Sequence, residues 1–194
     1  KKNFKLSLIS YNNINHIRSI LSDIDGQKNF YFNIDKPNLN SLISKKNHIK
    51  REVKSMSLST FAKKNKLNSR ILIKADIEGG EFELLKGAMD FLLKASNVTL
   101  LLELHPNTYN KKRNIKLFFK KLFNSGYYVK YVESSTVPQP PKFKINNLSP
   151  FIIINTRGLY KNIKNNFLLQ NAFQKNFQFH SPTVFNHRTV FADK

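Results

Sequence analysis

The chain has 194 residues, no cysteine, and 33 Lys and Arg against 12 Asp and Glu, for a formal charge of +21. That length suits one domain able to bury a core without covalent staples; the lack of cysteine excludes disulfides and thiolate metal sites, and five scattered histidines argue against zinc. No apolar run approaches the roughly 20 residues that cross a bilayer, and no signal-type core lies near the start, so a cytoplasmic protein is expected.

Residues 3–12 place Phe4, Leu8 and Tyr11 at helical spacing, favouring a short helix over a strand. Residues 14–21 predict a strand, 22–26 a turn and 29–33 a short strand of a hairpin or flap, followed by a polar loop through Asn38, Asn40 and Ser41. A further short strand is expected at 53–56, leading into a helix over 58–66. Residues 71–76 are apolar except for Lys74 and Asp76, the pattern of a strand covered on both faces in a parallel sheet.

Over 81–94, Phe82, Leu85, Met89 and Leu92 repeat at helical spacing, with Glu81 and Glu83 in the first turn and Lys94 in the last, matching the helix dipole. The next buried strand is expected at 98–104. Residues 110–125 form an amphipathic helical pattern with Ile115, Phe118, Phe119 and Leu122 on one side, and Gly126 is placed to end it in the left-handed conformation. Strands at 127–132 and 151–156 flank a connection containing Pro138, Pro140 and Pro141; beyond Arg157 follows an Asn-, Lys- and Phe-rich tail with a helical pattern over 160–175.

Alternating strands and helices of this kind make the second half of a doubly wound α/β sheet, and two of the strands end in acidic groups where ligands bind in such sheets. The run Ile73-Lys74-Ala75-Asp76-Ile77-Glu78-Gly79-Gly80-Glu81, then Leu85-Lys86-Gly87-Ala88, then an apolar strand closing on Glu103-Leu104-His105, resembles the FkbM-type S-adenosylmethionine-dependent methyltransferases. The likeness covers residues 4 to about 156 and is strongest over 71–106. It implies a Rossmann-like class I methyltransferase sheet, mostly parallel with an antiparallel closing strand and truncated at its N-terminus. It further implies a partial methyltransferase domain over 1–157, with an extension over 158–194.

S-adenosylmethionine is the implied cofactor, and the hydroxyl of a sugar, glycan or other small metabolite the implied methyl acceptor. The glycine-rich turn that would cradle the cofactor is missing, since no Gly-x-Gly occurs. By the resemblance, residues 4–13 correspond to the helix after the second strand, and the opening on Lys1 suggests a piece of a longer chain.

Asp76, Glu78 and Glu81 have three readings: helix-start acids that satisfy free amides, oxygen ligands for a divalent cation, or groups facing a substrate, with Asp76 as base or orienter at its strand tip. No metal is the favoured expectation. Glu103 and His105 are further catalytic candidates, because a carboxylate beside an imidazole raises its basicity, and both point to one face if the strand reaches His105. The resemblance places Ser22 and Asp23 beside the cofactor's adenine and Asn40 and Ser41 near the substrate, although Ser-Asp before Gly26 is equally a routine turn.

Where the family commonly has Thr-Leu-Asp, this chain has Ser57-Leu58-Ser59. Lys74 is expected to line the strand edge and pair with a carboxylate. The positive charge also admits a non-catalytic basic module on nucleic acid or an anionic surface. Lysines spread along the chain with few interleaved aromatics make nucleic acid the less favoured partner, and an inactive methyltransferase remnant is the other alternative.

Overall fold

The computed structural model describes residues 14–36, 40–44, 46–68 and 70–130, and the backbone of strand segments 131–135, 152–154, 157–161 and 183–187. The helix expected over 3–12 lies outside these residues. A three-stranded sheet opens the described chain: β1 (Ile20–Ser22), β2 (Gly26–Asn33) and β3 (His48–Ser57), in the order β1-β3-β2. β1 runs parallel to β3, and β2 antiparallel to it from Gly26↔Ser55 to Asn33↔His48.

Only the end of the strand expected over 14–21 is realised. Ile14 and Ile17 are 39% and 52% exposed, so apolar composition without a pairing partner does not make a strand there. β2 and β3 run longer than expected, because cross-strand pairing recruits polar residues such as Lys28, Lys50 and Arg51 that no apolar pattern marks. Ser57 ends β3 and caps helix α1 (Leu58–Lys64), its hydroxyl accepting from the Thr60 N–H; Asp25 accepts from the Ser57 N–H and the Thr60 hydroxyl, both at 2.7 Å. The Ser57-Leu58-Ser59 departure thus supplies a helix start.

The second sheet has the order β4-β5-β9-β6-β8-β7. Its strands are β4 (Ile71–Ala75), β5 (Val98–Leu102), β6 (Tyr127–Ser135), β7 (Ile152–Ile154), β8 (Arg157–Lys161) and β9 (Thr183–His187). Among the described strands of this sheet, only β4 and β5 pair parallel and the other four pairings are antiparallel. The fold is therefore α/β with mixed sheets, which corrects the expectation of a mostly parallel one. The tail is responsible: β9 inserts antiparallel between β5 and β6, and residues 160 and 161, expected in a helix, belong to β8.

Helices α2 (Glu81–Leu92) and α3 (Lys116–Asn124) cover the sheet. Leu85, Ala88 and Leu92 of α2 meet Leu100 and Leu102 of β5, Leu104, and Phe119 and Leu122 of α3 in a core where each is at most 1% exposed. β4 is covered on one face only among the described residues: Ala75 is buried, whereas Leu72 is 66% exposed and Lys74 is exposed, so the two-sided expectation fails there. α2 ends at Leu92 with Leu93 as its cap, so Lys94 follows the helix rather than standing in its last turn.

α3 starts six residues later than the pattern over 110–125 suggests, because the Asn110 side chain accepts from the Lys112 and Arg113 N–H groups and forms a turn instead. Gly126, at φ 99°, follows α3 as expected. The first sheet docks on α2 at Gly87, where a Cβ would stand 2.0 Å from the Ser22 carbonyl oxygen.

Candidate active site

β4 stops at Ala75 and β5 at Leu102, and the Glu103 N–H donates to the Ala75 carbonyl at 2.9 Å. β5 therefore stops short of His105, and the strand that would have put Glu103 and His105 on one face does not extend to them. After β4 the backbone takes the left-handed conformation at Glu78 (φ 51°) and Gly79 (φ 93°) before α2 begins. Glycine is required at 79, because a Cβ there would meet Thr108 Cγ2 at 2.6 Å.

This acidic turn is clamped from two sides. The Ser41 hydroxyl donates to the Glu78 carbonyl at 2.8 Å. Arg113 donates to the Gly79 carbonyl at 2.6 Å and the Thr108 carbonyl at 3.1 Å, forms a close ion pair with Glu83, and lays its guanidinium over the Phe82 ring. The fork geometry of arginine allows one side chain to hold all these groups.

Glu81, in the first turn of α2, is wholly buried. Its Oε1 accepts from the Gly79 N–H at 3.2 Å and lies 2.9 Å from His105 Nδ1, and its Oε2 accepts from the Tyr109 hydroxyl at 2.9 Å. That hydroxyl accepts from the His105 N–H at 3.1 Å. Burial of the His105 ring works against its charged form. The Glu81 hydrogen bond and the charges of Glu81, Glu78 and Glu103 outweigh that effect and raise the imidazole above its ordinary value. Burial, reinforced by Glu81, pushes the Tyr109 phenol well above its usual range, so it stays a donor.

Asp76 is exposed at the tip of β4, on a cavity of about 420 Å³ walled by Ile20, Leu21, Phe30, Leu42 and Ala75. One oxygen each of Asp76 and Glu78 and one ring nitrogen of His105 lie within 4.8 Å of one another, a spacing that exposed acidic groups commonly show without an ion. Lys74 lines the same cavity, but the expected carboxylate partner is not found among the described residues.

The structure gathers Asp76, Glu78, Glu81 and His105 and brings the charge of Glu103 to bear on the ring. Ser22 and Asp23 sit apart at the end of β1. Ser22 is buried and donates to Asp23, whose carboxylate is also bound by Lys28 and Lys86. Asn40 accepts from the Asn33 N–H at 2.8 Å and ties off the end of β2. Sequence reasoning missed Tyr109 and Arg113: Tyr109 stands in a loop with no periodic pattern, and Arg113 is hidden in the basic run Lys111-Lys112-Arg113.

An α/β domain with carboxylates and an imidazole assembled at the carboxyl ends of two adjacent parallel strands has the layout of an enzyme active site. The profile of the Methyltransferase FkbM domain matches residues 3–130, and the chain belongs to that family. Its membership indicates a methyltransferase. No curated protein and no solved structure matches the chain. Among the described residues, no helix is long and apolar enough to cross a membrane.

Proposed function

We propose that this chain is part of a Rossmann-like, S-adenosylmethionine-dependent O-methyltransferase acting on a hydroxyl of a sugar or other small metabolite. The observation that carries this reading is the exposed Asp76 at its strand tip, on the apolar-walled cavity and beside Glu78 and His105. The cofactor fits these residues in part: Ile20, Leu21, Phe30 and Leu42 offer apolar walls to a flat purine, whereas the side chains of Ser22 and Asp23, assigned to its polar edge by the resemblance, already bind each other, Lys28 and Lys86. When bound, S-adenosylmethionine supplies an electrophilic methyl on a sulfonium and leaves as a neutral thioether.

The chain's own residues then have to orient a hydroxyl and take its proton. Asp76 and Glu78 are open to an acceptor, with Asp76 as the leading contact; Glu103 adds negative charge behind them. Buried Glu81 holds the His105 ring and buried Ser41 holds the Glu78 carbonyl, and Asn40, next to Ser41 in sequence, is a further candidate contact for the acceptor.

Calorimetric titration of S-adenosylhomocysteine, paired with the Asp76→Asn variant, tests the reading. The variant is expected to keep its fold and to match the wild type in nucleoside binding, while methyl transfer to polyol or sugar acceptors falls by about 100-fold or more. Unchanged turnover in the variant would remove Asp76 from the chemistry. No nucleoside binding, with salt-sensitive binding to nucleic acid instead, would favour the basic-module reading that the charge of +21 supports.

A further inference from the structure

We infer that Tyr109 and Glu81 are positioning residues that hold His105 with its proton on Nδ1 and its lone pair on Nε2, making Nε2 the proton acceptor of the site. The hydrogen-bond chain admits little else. The His105 backbone N–H can only donate, so the Tyr109 oxygen 3.1 Å away accepts from it. The single phenolic proton then points to Glu81 Oε2 at 2.9 Å. Oε1 already receives the Gly79 N–H. A buried carboxyl with a donor on each oxygen is an acceptor, so Nδ1, 2.9 Å from Oε1, donates.

In the neutral ring the lone pair is then on Nε2, which lies 4.0 Å from Glu78 Oε1, on the side of the ring where Glu78 and Asp76 stand. The 4.0 Å gap exceeds a direct hydrogen bond and leaves the Nε2 lone pair available to accept from an incoming hydroxyl. As the hydroxyl reacts, its O–H bond breaks, the electron pair stays on oxygen for the new bond to carbon, and the proton moves to Nε2. The imidazolium is stabilised by Glu81, Glu78 and Glu103 and afterwards releases its proton to solvent.

The chemical use of Nε2 rests on the methyltransferase reading; the tautomer does not, so the two can fail separately. The test is ¹⁵N NMR of the imidazoles in the full chain without cofactor, with His105 identified by its absence in His105→Asn. Above its pKa, His105 is expected as one neutral tautomer protonated on Nδ1. An Nε2-protonated ring in the wild-type spectrum would overturn the inference whether or not any variant folds.

In Tyr109→Phe, which keeps the ring volume, the tautomer preference is expected to weaken and the pKa to fall. The rising limb of kcat against pH should follow that pKa downward, with kcat lowered about 10-fold and KM little changed. A variant that only loses thermal stability, with tautomer and pH limb unmoved, would reduce Tyr109 to a packing role. A correct tautomer without methyl transfer would instead count against the methyltransferase reading.

Discussion

Asp23 stands in a turn that looks routine in sequence, yet its carboxylate accepts from Ser22 at 3.0 Å and Lys86 at 2.9 Å and forms a close pair with Lys28. Burial alone would raise this carboxyl; the hydrogen bonds from Lys28, Lys86 and Ser22 outweigh it and hold the group well below the usual carboxylate range. The folded value is lower than the unfolded one of about 3.9. In acid the unfolded chain therefore binds the extra proton, and stability rises with pH through this region. The Asp23 contribution is whole above about pH 4 and is lost as the pH falls further. Comparing urea midpoints of the wild type and Asp23→Asn, the gap is expected to shrink from about pH 6 to about pH 3; an unchanged gap would mean that charge is not what Asp23 contributes. Lys86 is 63 positions from Asp23 in sequence, so no local pattern reveals this pair.

The contact of β1 with α2 turns on Gly87. In an open helix interior, Gly→Ala stabilises by roughly 0.5–1 kcal/mol. Here the new Cβ would lie 2.0 Å from the Ser22 carbonyl oxygen and 3.1 Å from the Asp23 Cα, and backbone atoms cannot rotate aside as a flexible side chain does. Gly87→Ala is therefore expected to destabilise by about 1–3 kcal/mol. It should also weaken nucleoside binding, because Ile20 and Leu21 of β1 wall the cavity. Urea denaturation and calorimetry would check both, and a stabilised variant would refute the close docking. α1, α2, β4 and β5 were legible because their apolar residues recur locally at helical or strand spacing. The lengths of β2 and β3 were not, since polar residues enter a strand when a neighbour pairs with them.

Across the whole chain, the mixed sheet depends on its last residues. β9 sits between β5 and β6 with an antiparallel partner on each side, so a chain ending at residue 157 would leave both facing edges unpaired and lose most of β8 as well. Such a chain is expected to lose cooperative unfolding or to aggregate; a sharp thermal transition like that of the full chain would show that residues 1–157 fold alone.

Composition, local periodicity and the Asp76-to-His105 motif were enough to establish the α/β class, the principal helices and the family, because each is written in residues close together along the chain. Strand order, the one-sided cover of β4 and the Tyr109–Glu81–His105 chain depend on residues far apart in sequence. Backbone pairing and buried hydrogen bonds select those partners only once the core has brought them within reach.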